Sequence, residues 1–239
     1  MRMAAALTAM SWLACWLGAV SGSGAPGTPG APAAKVLRYL ALGDSYTIGE
    51  GVDVSGRWPV QLTALLRRRG LAVGEPEIVA RTGWTTAELS AGIDAAAPRG
   101  PFALVSLLIG VNDQFRGGRP EDYRGAFAAL LRRAIAFAGG EPGRVVVLSI
   151  PDWSVTPYAI ASGRDLPRIA GEIRRFNEIN REETARAGAH WVDVTAASER
   201  ALGDSAQLAA DGLHPSAAMY AEWARLALPG AAAALGERH

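Results

Sequence analysis

The feature that most limits how this chain can fold is its regular alternation of short apolar runs with longer amphipathic stretches. Five apolar runs have the length of strands, at residues 36–42, 77–80, 102–109, 144–150 and 190–194. Each is followed by a stretch with apolar residues at helical spacing, at residues 58–69, 86–96, 121–138, 168–187 and 215–228. Because the central runs are apolar throughout, the pattern predicts an α/β fold whose parallel sheet is covered by helices on both sides.

The first 35 residues follow a different pattern. A short start containing Arg2 precedes an apolar run at 4–20, and small residues follow at 21–25. This is the layout of a secretory signal peptide, which we place at residues 1–24, before a Pro/Gly-rich linker at 25–35. The alternative is an uncleaved membrane anchor, since a spanning helix needs roughly 17–25 apolar residues. We expect a secreted or cell-envelope protein with one domain at residues 36–239.

The single cysteine, Cys15, lies inside this apolar run. If the segment is removed, the mature protein has no disulfide, no thiol nucleophile and no thiolate metal ligand. A second alternative is a bacterial lipoprotein with a lipid attached to Cys15, although Trp12 stands where such signals usually carry Leu.

The composition limits the partners that the chain can bind. It has 239 residues, 49% of them hydrophobic, which suffices for one sizeable core. Charged residues make up 20% and the formal net charge is +1, so nothing indicates a nucleic-acid partner. We expect a monomer that acts on a small-molecule or lipid ester, without a cofactor or a metal.

Four polar motifs follow predicted strands or precede the last helix. They are Gly43-Asp44-Ser45, Thr82-Gly83-Trp84-Thr85, Gly110-Val111-Asn112-Asp113 and Asp211-Gly212-Leu213-His214. Each motif alone is an ordinary turn sequence. The carboxyl ends of parallel strands meet at one edge of the sheet, however, so the motifs are expected to lie together. A serine there needs a base to take its proton and donors to hold the oxyanion.

Only one of the three histidines has a catalytic setting. His239 is the last residue, and His190 opens a predicted strand. His214 follows Asp211 by three residues, a spacing that allows a carboxylate to orient the imidazole and fix its tautomer. The alternative is that His214 merely precedes a helix whose first residue is Pro215.

In this order, the four motifs closely resemble the blocks of the GDSL/SGNH hydrolase family, and the resemblance spans residues 36–228. It implies a three-layer α/β/α fold with a five-stranded, flavodoxin-like parallel sheet, and the activity of a serine esterase. Tyr46 stands where the first block of the family usually has Leu.

The resemblance also implies a role for each motif residue. Ser45 would be the nucleophile, His214 the general base and then the general acid, and Asp211 the residue that orients His214. The oxyanion hole would consist of the backbone N–H groups of Ser45 and Gly83 and the side chain of Asn112. Among these residues, Gly83 lies in the block that matches the family pattern most loosely.

Three further sequence features bear on the site. The pentapeptide Ala-Leu-Gly-Asp-Ser occurs again at residues 201–205, but no apolar strand precedes it, so Ser45 is the better nucleophile and Ser205 is a loop or helix-cap residue. Four aromatic residues on loops after the strands are candidates for the substrate pocket: Trp84, Phe115, Trp153 and Tyr158. No long insertion that could form a lid is present, which favours short-chain or aryl esters.

Other activities fit parts of the same pattern. Asp44, Asp113, Asp211 and His214 could form a metal cluster for phosphoester hydrolysis, but Ser45 and Asn112 would then have no role. An acyltransferase, a lysophospholipase or a thioesterase could use the same acyl-enzyme. A secreted binding module that lost catalysis is a different class, and the intact motifs argue against it.

Overall fold

One sheet of five parallel strands forms the centre of the fold. The computed structural model describes residues 36–236, and the signal segment, Cys15, the linker and His239 lie outside the described residues. The strands are β1 (Tyr39–Gly43), β2 (Glu77–Ala80), β3 (Leu104–Leu108), β4 (Val145–Leu148) and β5 (His190–Val192). Their order in the sheet is β2-β1-β3-β4-β5, with every neighbouring pair parallel. This confirms the predicted flavodoxin-like sheet.

The helices lie on both sides of the sheet. They are α1 (Ser45–Ile48), α2 (Trp58–Arg68), α3 (Thr86–Ala96), α4 (Val111–Phe115), α5 (Pro120–Phe137), α6 (Pro157–Ala161), α7 (Leu166–Ala187), α8 (Thr195–Glu199) and α9 (Ala217–Ala234). Short 3₁₀ turns occur at Val54–Gly56, Pro142–Arg144, Trp153–Val155 and Ser205–Gln207. Helices α2 and α9 pack against each other, while α5 packs against both α3 and α7. Strands β1, β3 and β4 are buried along their whole length between these layers.

The ends of the strands differ from the sequence expectation by a few residues. The first strand begins at Tyr39 rather than at residue 36, because Val36 is exposed and Leu37 forms only an isolated bridge with Val73. The last strand ends at Val192 because Asp193 turns the chain, its carboxylate accepting a hydrogen bond from Thr195 N at 2.8 Å. Apolar runs therefore locate the strands well but not their exact ends.

The last helix corrects a prediction. It does not begin at Pro215, which instead pairs with Leu208 in an isolated bridge. Ser216 is the N-cap, its hydroxyl accepting from Met219 N at 3.4 Å, and the helix continues through Pro229 to Ala234. Pro229 removes one backbone hydrogen bond. The following alanines favour helix, and Ala231 and Ala232 are fully buried, so packing prolongs the helix beyond the proline.

Within residues 36–236, none of the helices is both long enough and apolar enough to span a bilayer.

Candidate active site

The site lies at the edge of the sheet where the strand order reverses. The neighbours of β1 are β2 on one side and β3 on the other. The loops that follow β1 and β3 therefore run in opposite directions from this point. A crevice opens there in α/β folds of this type. Helix α1 follows β1 after one residue, and α4 follows β3 after two, so both motifs open a short helix at this edge.

Ser45 is held at the start of α1 by local structure. The preceding Asp44 is the N-cap, with Oδ1 accepting a hydrogen bond from Tyr46 N at 3.0 Å. Gly43 lies where no side chain fits, since a Cβ would come within 2.1 Å of Thr47 Oγ1. Ser45 is 4% exposed. The motif thus forms a tight turn between strand and helix that fixes the serine.

Asp211 and His214 form a compact pair within one turn. Asp211 Oδ2 lies 2.5 Å from His214 Nδ1, and its Oδ1 accepts from the backbone N–H groups of Leu213 at 2.9 Å and His214 at 3.0 Å. Burial raises the pKa of Asp211, but the His214 ring and the two N–H groups outweigh it and hold the pKa below its ordinary value. Asp211 is therefore an anion that orients the imidazole.

The expected oxyanion donors also come together. Asn112, on α4, donates from Nδ2 to Trp84 O at 3.0 Å, and its second N–H has no partner among the described residues, so it is available to a ligand. Gly83 has a φ of +85° in a turn closed by Trp84 N donating to Arg81 O at 3.2 Å. A positive φ at the third residue alone is the pattern of a type II turn, which explains the glycine.

One cavity of about 170 Å³ joins these groups. Its lining residues are Ser45, Tyr46, Thr82, Gly83, Val111, Asn112, Phe115, Trp153, Tyr158, Leu213 and His214. Asp211 stands behind His214. No hydrogen bond joins Ser45 Oγ to His214 Nε2 in the described part of the chain; such contacts often tighten only when substrate binds.

Three of the four predicted pocket aromatics line this cavity, and Trp84 does not. Its indole packs against α3 at Gly92, where a Cβ would lie 2.1 Å from Trp84 Cη2. Trp153 is 2% exposed, and its Nε1 donates to Gln114 Oε1 at 2.9 Å. Phe115 lies beside it, with ring centroids 5.4 Å apart. These two rings form an aromatic wall of the cavity.

Sequence reasoning missed four lining residues: Tyr46, Thr82, Val111 and Leu213. Thr82, Val111 and Leu213 belong to the four motifs and Tyr46 directly follows the first of them, so position in or beside a motif is the available signal. The Tyr46 ring centroid lies 5.5 Å from that of His214, and the residue is 3% exposed. Tyr46, which stands where the first block of the family usually has Leu, therefore packs against the imidazole of His214.

The second Ala-Leu-Gly-Asp-Ser copy lies apart from the cavity. Ser205 is exposed and opens a 3₁₀ turn capped by Asp204, whose Oδ1 accepts from Ala206 N at 3.0 Å. Asp113, which the metal alternative would need, binds Thr86 N at 3.0 Å and Thr86 Oγ1 at 2.6 Å. Residues 36–236 contain no group of three or more His, Cys, Asp or Glu side chains arranged to hold a metal ion.

Asp44 is a buried carboxyl group with an altered pKa. Burial raises the pKa of Asp44 from 3.8 to about 8, opposed by the Tyr46 N–H and reinforced by the negative charge of Asp113. Its Oδ2 is buried and has no hydrogen-bond partner among the described residues. An ionised Asp44 would thus bury a charge that lacks a second donor, and the neutral acid is the favoured form at pH 7.

This shift predicts how stability depends on pH. Between about pH 4 and pH 8 the folded protein holds a proton on Asp44 that the unfolded chain has lost, so this group lowers stability by up to about 1.4 kcal/mol per pH unit as pH rises. Asp44→Asn stays neutral and should remove that slope. Urea unfolding at several pH values checks this, with the exposed capping residue Asp204, as Asp204→Asn, for control. Parallel stability curves for wild type and Asp44→Asn would contradict it.

The fold and the cavity together define an α/β protein with a polar cluster at its topological switch point. The structure resembles TesA, with 24% identity and a TM-score of 0.64 over 83% of this chain and 99% of TesA. It also resembles a lipase/acylhydrolase from Enterococcus faecalis, with 20% identity and a TM-score of 0.63 over 85% and 100%. A third similar structure is the acetylxylan esterase Axe2 from Geobacillus stearothermophilus, with 18% identity and a TM-score of 0.59 over 84% of this chain and 95% of Axe2. At these identities the likeness shows the fold alone.

The family follows from the sequence itself. Residues 41–222, more than half of the chain, match the model of the GDSL-like lipase/acylhydrolase family. The chain belongs to this family, which makes it a hydrolase of the esterase and lipase type. A comparison with curated proteins gave no significant match.

Proposed function

We propose that this protein is a serine hydrolase that cleaves carboxylic esters with short acyl chains through an acyl-enzyme on Ser45. The observation that carries the proposal is that Ser45, His214, Asn112 and Gly83 line one small cavity, with the Asp211 carboxylate against His214 Nδ1 at 2.5 Å. A nucleophile, an oriented base and oxyanion donors are the parts that acyl transfer needs.

The reaction has two halves. Ser45 Oγ attacks the ester carbonyl while His214 Nε2 takes the hydroxyl proton, and the resulting oxyanion accepts hydrogen bonds from Asn112 Nδ2 and the N–H groups of Gly83 and Ser45. His214 then gives the proton to the leaving alcohol, and the acyl group stays on Ser45. Water repeats the sequence in the second half and releases the acid. The Asp211 anion stabilises the imidazolium in both halves.

The size of the cavity supports a short acyl chain. A cavity of about 170 Å³ with the aromatic wall of Phe115 and Trp153 on one side suits a short acyl chain better than a long one. Each methylene that fits should raise kcat/KM by roughly fourfold, from the free energy of burying one such group. Acyl chains that meet the wall should lose this gain.

The experiment is a comparison of p-nitrophenyl esters from acetate to decanoate. We expect wild-type protein to prefer the short esters and Phe115→Ala to move the optimum to longer chains, because the substitution opens the wall. Phe137→Ala, another partly buried aromatic that packs on Phe102 instead, is the control and should leave the optimum unchanged. Absence of turnover on every ester would refute the proposed function, whereas unchanged optima in Phe115→Ala would refute only the assignment of the wall.

We also propose export from the cytoplasm. Support comes from the sequence pattern of residues 1–24, a basic start, an apolar run and small residues. Mass spectrometry of the mature protein from culture medium tests this, since export with cleavage predicts a new N-terminus between residues 21 and 26.

A further inference from the structure

Helix α4 holds the chain segment that carries Gly83. Asn112 donates to Trp84 O at 3.0 Å, as described above. Asp113, the next residue, binds both the backbone N–H and the hydroxyl of Thr86. Two consecutive side chains of one short helix therefore bind the backbone on the C-terminal side of Gly83, at the start of α3.

Arg116, just after α4, completes this set of contacts. Its Nη2 donates to Gly83 O at 2.7 Å, and its Nη1 donates to Glu88 Oε1 at 3.3 Å. Glu88 is itself fixed, because its Oε2 accepts from Thr85 N at 2.8 Å in a capping box at the start of α3. A guanidinium has donors in a rigid planar fork, which allows one side chain to bind both acceptors.

The contact with Arg116 fixes the peptide unit that follows Gly83. Its C=O is held by Arg116 Nη2, and its N–H, on Trp84, donates to Arg81 O at 3.2 Å. Glycine has the widest backbone freedom of any residue, so the conformation at Gly83 depends on such outside contacts. With both ends of this peptide unit held, the Cα of Gly83 is fixed in place. The N–H of Gly83, which belongs to the preceding peptide unit, is then limited to the directions that the 81–84 turn allows.

We propose that Arg116 is a positioning residue of the oxyanion hole: it holds Gly83 so that its N–H and Asn112 Nδ2 meet at one point. This inference rests on the proposed function. Arg116 is not itself among the residues that line the cavity, so it acts through Gly83 and touches no substrate. Preorganised donors of this kind act mainly in the transition state, where charge develops on the carbonyl oxygen.

The test compares Arg116→Ala and Arg116→Lys with wild type in two assays. Arg116→Ala should lower kcat by roughly tenfold and leave KM nearly unchanged. This loss is smaller than the loss of about 10²–10³-fold that follows removal of one oxyanion donor, because the donor is displaced and not removed. The Ki of an alkyl trifluoromethyl ketone should rise by a similar factor, because its adduct with Ser45 places an oxyanion in the same hole. Arg116→Lys should recover part of both, since an ammonium can still donate to Gly83 O.

Arg119→Ala is the matched control, because Arg119 is an exposed arginine nearby that pairs only with Asp122 among the described residues. It should leave kcat, Ki and the thermal midpoint unchanged. The inference is overturned if Arg116→Ala keeps wild-type kcat and Ki, or if it changes KM alone. It is equally overturned if the loss of kcat comes without any change in Ki. Failure of wild-type protein to turn over any ester would instead refute the proposed function.

Discussion

Ser45→Ala is expected to lower the turnover of p-nitrophenyl acetate by about 10⁴-fold or more. Ser45 is the only serine among the described residues that line the cavity, and the hydroxyl of Thr82, which also lines it, donates to Glu50. Some rate above that of water should remain, since the oxyanion donors still bind the transition state. The measurement is kcat at saturating ester concentration. Circular dichroism and the thermal midpoint check that the variant is folded like the wild type. Ser45 is small and lies in a preformed turn, so the variant should fold normally.

Ser205→Ala is a closely matched control, because the two serines end identical pentapeptides. Residues 201–205 repeat the sequence of residues 41–45, but Ser205 lies in an exposed 3₁₀ turn. We expect this variant to keep the wild-type rate. Equal activity of Ser45→Ala and wild type would remove the nucleophile from the proposed mechanism, and loss of activity in Ser205→Ala instead would reverse the assignment.

Asp211→Asn should lower kcat by about 10⁴-fold with little change in KM, as expected when the carboxylate of a triad becomes an amide. The amide oxygen can still accept from the N–H groups of Leu213 and His214, so the turn should survive. What is lost is the anion beside His214 Nδ1, and with it the stabilisation of the imidazolium. Steady-state kinetics with p-nitrophenyl acetate measure the effect.

The control for this substitution is Asp204→Asn, which changes the same atoms in a capping residue seven positions earlier. It should leave kcat unchanged. A loss of only a few fold in Asp211→Asn would show that His214 acts without its carboxylate. A large loss in both variants would trace the effect to the 204–214 segment rather than to the catalytic pair.

Local sequence signals predicted some elements to the residue. The helix predicted at 86–96 is confirmed with both of its bounds, and the structure shows a local cause for its start: Thr85 is the N-cap and Glu88 completes a capping box with it. The strand at 77–80 was also exact. The last helix was misplaced at both ends, because its bounds depend on distant contacts: Pro215 pairs with Leu208, and the core buries Ala231 and Ala232 beyond Pro229.

The assembly of the site could be predicted because parallel strands bring their carboxyl ends to one edge. Ser45, Gly83, Asn112 and His214 therefore meet, as the order of the motifs indicated. The direction of the Trp84 side chain could not be predicted, since it depends on space beside Gly92 one helix away. The contact of Arg116 with Gly83 joins residues 33 positions apart, and no sequence pattern marks it.

The pairing of Asp211 with His214 has a consequence for how such an enzyme can change over time. Asp211 and His214 are three residues apart, and the same carboxylate accepts hydrogen bonds from both the ring and the backbone of the turn. The pair is thus a compact module, because the hydrogen bonds that align its two side chains lie within one turn of four residues. Strands and helices can diverge widely in sequence while this module stays intact. For the proposed mechanism, the fold then has to hold three parts at fixed distances from one another: this module, Ser45, and the oxyanion donors Gly83 and Asn112.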